Sequence, residues 1–205
     1  MIGVLALQGD FIEHEYVLRS LGEETRQVRR ISDLDGLAGL IMPGGESTTF
    51  SHLMLEFNLQ ESLKRLIASR FPVWGTCAGM IVMAKRVSDL EHPTLDALDL
   101  SVRRNAYGRQ AESFETKVDV PVLGAKPFHA VFIRAPVVEE VGQNVEILAR
   151  LKPEGDGTAQ GSTVAVRQDN LLATTFHPEL SGDFRFHRYF LEVVKAHKSS
   201  QSSFK

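Results

Sequence analysis

The chain has 205 residues, 43% of them hydrophobic, and carries 23 Lys and Arg against 26 Asp and Glu for a net charge of −3. A chain of this length fits one compact domain that closes its core without disulfide or metal, burying roughly 70% of the surface the unfolded polymer exposes; its mild negative charge argues against a nucleic-acid partner. The single cysteine, Cys77, has no internal thiol to pair with, which favours a reducing, cytoplasmic setting and leaves that sulfur to packing or to chemistry.

The apolar run from Ile2 to Leu7 is interrupted by Gln8 and Asp10, too early for a signal-peptide core or a bilayer span, so no membrane association is expected. The run reads as a strand. The pattern then predicts a helix over 11–21, strands over 25–28 and 37–42, a helix over 50–69, a strand over 71–74 and a helix over 78–87. Short apolar strands alternating with helices point to a parallel sheet covered on both faces. Further on, β-favouring stretches recur at 98–103, 113–118, 130–135, 145–151, 163–167 and 171–176, with Asp169-Asn170 as a hairpin turn between the last two. A helix over 184–197 ends the domain, taken as residues 1–197, and 198–205 reads as a polar, mobile tail.

The strongest local signal is Phe71-Pro-Val-Trp-Gly-Thr-Cys-Ala-Gly-Met80, in which a strand runs through Gly75-x-Cys77-x-Gly79 into a helix. Glycines two before and two after relieve crowding in a tight strand-to-helix turn, the nucleophile-elbow arrangement with sulfur in place of oxygen. A thiolate there also faces free N–H groups and the positive end of the helix dipole. A packing cysteine between two small residues reads the same way from this decapeptide alone.

Leu171-Leu-Ala-Thr-Thr-Phe-His-Pro-Glu179 is an apolar strand ending in His177-Pro178-Glu179. Proline pushes the preceding residue towards an extended conformation, and residues two apart in an extended segment share a side, so imidazole and carboxylate are expected to lie together. Cysteine chemistry requires a base held in one tautomer by an acid; a solvated surface turn is the competing reading. A third strand ends in Pro43-Gly44-Gly45-Glu46-Ser47, where backbone N–H groups of the glycines, with that of Ala78, are placed to hold an oxyanion. A plain glycine turn with Ser47 capping the next helix is compatible with the same letters. Ligands bind at the carboxyl ends of strands in doubly wound sheets, and these three strand ends bear three components of an acyl-transfer site.

Together, Leu7-Gln-Gly9, Pro43-Gly-Gly-Glu-Ser-Thr-Thr49, Gly75-Thr-Cys-Ala-Gly79, Arg103-Arg-Asn-x-x-Gly-Arg-Gln110, Phe132-Ile-Arg-Ala-Pro136 and Phe176-His-Pro-Glu-Leu180 resemble the glutaminase subunits of pyridoxal 5′-phosphate synthases, a branch of the class I glutamine amidotransferases. The resemblance covers nearly the whole chain. It implies an α/β fold with a flavodoxin-like, doubly wound, mostly parallel sheet, helices on both faces and an added antiparallel β section. It further implies glutamine hydrolysis by Cys77, His177 and Glu179, an oxyanion hole at Gly45 and Ala78, and a glutamine pocket at Gly45, Glu46, Ser47, Arg104, Ile133 and Arg134. No cofactor or metal is implied. The partner would be a (β/α)8 synthase subunit that takes up the ammonia, with Gln8, Gly9 and Gly44 as a switch that responds to docking. The stretch 137–163 is longer than the resemblance leads one to expect.

Other readings are weaker. Glu13-His14-Glu15 has adjacent ligand types that point to different faces of a helix, so a solvated surface is expected there, and His52, His92, His129, His187 and His197 show no ligand spacing. The glutaminase of another amidotransferase, such as imidazole glycerol phosphate synthase, would share the triad without Arg-Asn-x-x-Gly-Arg-Gln. A non-catalytic flavodoxin-like binding protein would need neither His-Pro-Glu nor the paired glycines.

Overall fold

The computed structural model describes residues 1–88, 90, 93–104, 113–152 and 161–202. Strand β1 (Ile2–Leu5) leads through helix α1 (Phe11–Ser20) to β2 (Thr25–Val28) and β3 (Gly39–Met42), then α2 (Ser47–Glu56), α3 (Leu59–Ala68), β4 (Val73–Thr76) and α4 (Ala78–Met83). There follow β5 (Ala84–Ser88), β6 (Leu98–Arg103), β7 (Ser113–Val118), β8 (Phe128–Ile133), β9 (Val137–Val141), β10 (Glu146–Arg150), β11 (Thr163–Gln168), β12 (Leu171–Thr174) and α5 (Arg185–Ser202).

The main sheet has the order β10-β11-β12-β4-β3-β1-β2. The pairs from β12 to β2 are parallel, while β10 and β11 add an antiparallel edge. A second sheet, β5-β6-β9, and the hairpin β7-β8 complete the expected α/β fold with its antiparallel section. Period-two alternation along each central strand divides the core in two. Leu40, Met42 and Val73 face the layer containing Phe50, Met54 and Leu63 of α2 and α3. Ile41, Trp74 and Leu172 face Leu18 of α1 and Phe186 and Phe190 of α5. Among the described residues no helix is long and apolar enough to cross a membrane.

Several elements differ from their sequence reading. The helix expected over 50–69 is two helices, because Asn58 takes a left-handed conformation (φ 55°), one that asparagine tolerates better than most residues. The helix expected over 78–87 stops at Met83: Ala84 turns to extended backbone (ψ 148°), and Arg86, Val87 and Ser88 pair with β6. Strand β9 lay within the stretch 137–163 and was not anticipated. Helix α5 continues past His197 to Ser202, into the expected tail. Asn105, Gly108, Arg109 and Gln110 of the arginine motif, His92, residues 153–160 and residues 203–205 lie outside the described residues.

These departures leave the site's platform intact. Strands β12, β4, β3 and β1 are consecutive neighbours, so the segments beginning at His177, Cys77, Pro43 and Gln8 leave one edge of the sheet side by side. That edge is the carboxyl end of the parallel strands, where doubly wound folds place their ligands.

Candidate active site

Cys77 joins β4 to α4 with φ 47° and ψ −102°, a conformation disfavoured for a residue with a side chain by about 1–3 kcal/mol and typical of functional sites. The turn is tight: a β-carbon on Gly75 would stand 2.6 Å from the Gly79 carbonyl carbon, and one on Gly79 would strike the Met42 carbonyl oxygen. Only glycine fits at both, so the two residues flanking the elbow let β3, β4 and α4 close around it. The Cys77 N–H is bonded to the Thr174 carbonyl at 2.8 Å. Its thiol is buried and stands 3.8 Å from the Ile133 carbonyl.

His177 Nδ1 is 2.8 Å from Glu179 Oε1. The predicted pairing is present, but its geometric reason was wrong: Pro178–Leu180 forms a 3-10 turn, and the tight turn, not extended backbone, brings the carboxylate to the ring. The His177 N–H donates to the Val131 carbonyl at 2.8 Å, tying the segment to β8. A second carboxylate, Asp10 Oδ2, stands 3.2 Å from the same His177 nitrogen. Burial lowers the basicity of His177, but hydrogen bonds with Asp10, Cys77 and Glu179 outweigh it and push its pKa up to about 12. Burial pushes the Glu179 carboxyl up while the neighbouring imidazole pulls it back, so the protons of this group belong to a coupled set rather than to single residues. His177 is thus held between the Cys77 sulfur and two carboxylates, the arrangement of sulfur, base and acid that cysteine chemistry requires.

Asp10, His177 and Glu179 each place a donor atom within 4.8 Å of the others. Both carboxylates close on one ring nitrogen at hydrogen-bond length, a bonded cluster rather than three ligands converging on an ion.

A cavity of about 210 Å³ opens over the thiol and is lined by Cys77 and His177 together with Gly45, Glu46, Ser47, Arg104, Ile133 and Arg134. Every residue expected in a glutamine pocket is on its wall. Glu179 lies behind His177, buried, and Ala78 is the fully buried first residue of α4, directly after Cys77; the side chain of neither lines the cavity. Asp10 and Ile81, which the sequence reading passed over, line it as well. Asp10 carried a legible signal, since it sits three positions beyond the expected end of the first strand, at the ligand-binding edge.

Glu46, not Ser47, caps α2: its carboxylate accepts from the Thr48 and Thr49 N–H groups at 3.0 and 2.7 Å. Burial opposes ionisation, but these bonds hold the Glu46 pKa down at about 2. Arg104 Nη2 donates to Glu46 Oε1 at 3.1 Å and to Thr48 Oγ1 at 3.0 Å, so a guanidinium is fixed at the cavity wall with its side chain only 13% exposed. Arg134, which also lines the cavity, follows β8 with φ 43°.

Gln8 and Gly9 pack against the paired glycines. Gln8 Oε1 accepts the Glu46 N–H at 2.9 Å, and the Asp10 N–H donates to the Gly44 carbonyl at 3.3 Å. Glu13-His14-Glu15 is not the solvated surface expected from the sequence. His14 is fully buried, with Nδ1 2.9 Å from His187 Nε2, and Glu15 is buried beside it. The spacing of His14 with Val17, Leu18 and Leu21 marks the inner face of α1 and could have revealed this.

The sequence matches the SNO glutamine amidotransferase family over residues 4–196. The pyridoxal 5′-phosphate synthase subunit PdxT of Dehalococcoides mccartyi is 54% identical over 199 residues, covering 96% of this chain and 98% of that one. A crystal structure described as a glutamine amidotransferase superposes with a TM-score of 0.85 at 47% identity, covering 95% of this chain and 98% of the other. A structure of PurLQS from Thermotoga maritima, with a TM-score of 0.65 at 13% identity over 95% of this chain and 97% of its own, shares the fold alone.

Proposed function

This chain belongs to the SNO glutamine amidotransferase family, and we propose that it is the glutaminase subunit of a pyridoxal 5′-phosphate synthase, with Cys77, His177 and Glu179 as its triad. The observation that carries the proposal is the Glu179–His177 contact of 2.8 Å at a cavity shared with the strained Cys77.

The Cys77 thiolate attacks the side-chain carbonyl carbon of glutamine, and the carbonyl electrons move to oxygen. Because the Cys77 N–H is committed to Thr174, the elbow's donor to that oxyanion is the Ala78 N–H, joined by the N–H of Gly45; one such donor lowers a barrier by about 3 kcal/mol. His177 gives its proton to the departing nitrogen, the C–N bond breaks, and ammonia leaves a thioester behind. The now neutral imidazole takes a proton from water, whose oxygen attacks the thioester and releases glutamate and the thiolate. Glu179 keeps the imidazole in one tautomer throughout. Arg104 and Arg134 suit the α-carboxylate of the substrate, and backbone groups at Gly45 and Ser47 suit its amino end.

Ammonia released to water would be protonated and lost, so a synthase subunit, of (β/α)8 fold, receives it directly. In the loop after β1, Asp10 holds the Gly44-Gly45 peptide and Gln8 holds the Gly45-Glu46 peptide that follows it, and docking acts through Gln8, Gly9 and Gly44 to set the oxyanion hole. The chemistry requires a reduced Cys77, and that need supports a reducing, cytoplasmic setting.

Glutamate release from glutamine, measured with and without the synthase subunit, tests the reading. Turnover that depends on the partner and vanishes in Cys77→Ser is expected. Undiminished turnover by the Ser variant would refute the triad, and full activity of the isolated chain would refute the switch.

A further inference from the structure

Two buried imidazoles stand behind the triad with no part in the chemistry above. His14, on α1, and His187, on α5, are both 0% exposed and meet at 2.9 Å, Nδ1 of the first to Nε2 of the second. His14 Nε2 stands 3.3 Å from Thr76 Oγ1, on the residue before Cys77, and also 3.3 Å from Glu179 Oε2. That carboxylate oxygen has no hydrogen-bond partner among the described residues, and His14 Nε2 stands at ion-pair distance from it. Trp74 braces the pair, with its ring 5.6 Å from His14 and 4.8 Å from His187 and edge-on to both.

We propose that His14, held in one tautomer by His187, is a positioning residue for the catalytic acid: its Nε2–H bonds Thr76 Oγ1 and faces the unpartnered Glu179 Oε2 as the nearest available donor. The inference rests on the glutaminase reading and extends the triad inward, from His177 through Glu179 to His14 and His187.

The protons can be placed one by one. An ionised Glu179 is only an acceptor, so the His14 nitrogen facing it must carry hydrogen. Burial and the nearby His187 and His177 keep His14 neutral, and burial keeps His187 neutral, so each ring carries a single N–H. With its hydrogen on Nε2, His14 has a bare Nδ1, and His187 must donate to it from Nε2. The chain then ends on an unprotonated His187 Nδ1, the atom that has no hydrogen-bond partner among the described residues. A bare lone pair at the end of the chain strands no buried donor, which the opposite arrangement would do.

The arrangement also fits the needs of the triad. Glu179 is a carboxylate with burial against its charge. His177 satisfies one of its oxygens, and a fixed donor on the other keeps it ionised and stops its plane from turning. The charged and titratable groups that face His14 are His187 from α5, and His177 and Glu179 from the turn after β12, with Asp10 beyond them at His177.

The test has two arms, run on the full chain. In the first, ¹⁵N resonances of the wild-type histidines are followed from neutral to mildly acidic pH. Hydrogen on Nε2 and a bare Nδ1 in both His14 and His187 is expected; a His14 hydrogen on Nδ1, as when a protonated Glu179 donates to it, overturns the proposal. This arm is independent of turnover, so it stands even if the glutaminase reading fails.

In the second arm, His14→Leu and His14→Gln are assayed in complex with the synthase subunit. Leu removes the donor, and kcat should fall about 10- to 100-fold with KM within about twofold of wild type. Glu179 would then protonate at higher pH, so the acid limb of kcat/KM should move upward. The Gln amide restores a donor and should return the acid limb towards its wild-type position. An unmoved limb in His14→Leu, or a Gln variant no better than Leu, overturns the proposal. If His14→Leu does not fold, the resonances and the Gln profile decide.

Discussion

The Gln8 side-chain oxygen accepts the Glu46 N–H at 2.9 Å, so the loops that follow β1 and β3 are tied together at the rim of the cavity. Gly45 lies inside that tie with φ 146°, and a β-carbon there would strike the Gln8 amide. Gly45→Ala therefore has both a steric and a backbone objection, of about 1–3 kcal/mol together. Glutaminase activity in the complex should fall at least about 100-fold, while chemical denaturation reports a fold that is weakened but present.

Cys77 bears left-handed backbone strain that glycine would not feel. Cys77→Gly should abolish glutamine hydrolysis yet raise stability by about 1 kcal/mol, or roughly 2–4 °C in Tm for a chain of this size. Calorimetry of the two proteins checks it. A drop in Tm would mean the elbow is not strained.

Glu179→Gln keeps the shape of the acid and removes its charge. His177 then loses one of the partners that raise its pKa, and the positive charge it can offer the Cys77 sulfur weakens. Turnover should fall by about 10³ or more. The pH at which Cys77 becomes reactive towards iodoacetamide should rise, and an unchanged alkylation profile would show that the carboxylate does not govern the pair.

Arg104 is fixed by Glu46 and Thr48 at the cavity wall. Arg104→Met should raise KM for glutamine about 10- to 100-fold and leave kcat within a fewfold, the pattern of lost ground-state binding. Arg104→Lys should recover little of it, because an ammonium lacks the planar fork. Steady-state kinetics with the synthase subunit present distinguish these outcomes.

His187 is held at a pKa of about 3 by burial, against 6.5 for an ordinary imidazole. The folded pKa is the lower one, so the unfolded chain takes up the proton first, and stability is lost as pH falls from about 6.5 towards 3. The slope per histidine approaches about 1.4 kcal/mol per pH unit. Denaturation at a series of pH values should show this decline in the wild type and a shallower one in His187→Phe, whose ring cannot titrate.

The legible parts of the chain were those whose constraint is local. Gly75, Cys77 and Gly79 spell a turn because steric crowding acts within a few bonds. The ends of β4 and β12 follow from short apolar runs, and the pocket residues came through motif resemblance. Even there the means was misjudged: His177 meets Glu179 through a 3-10 turn, and the helix cap is Glu46 rather than Ser47. Register and element boundaries, such as the break at Asn58 or the short α4, depended on what each segment packs against.

By itself the sequence determined the alternation of strands and helices and the identity of the elbow and of the His-Pro-Glu turn, because backbone sterics and hydrophobic period need only near neighbours. The adjacency of β12, β4, β3 and β1 set those pieces at hydrogen-bond distance, and it was decided only by sheet pairing. So was the burial of His14 against His187, 173 positions away. A surface histidine and a core histidine are the same letter, and desolvation, which separates them, acts only once the chain has folded.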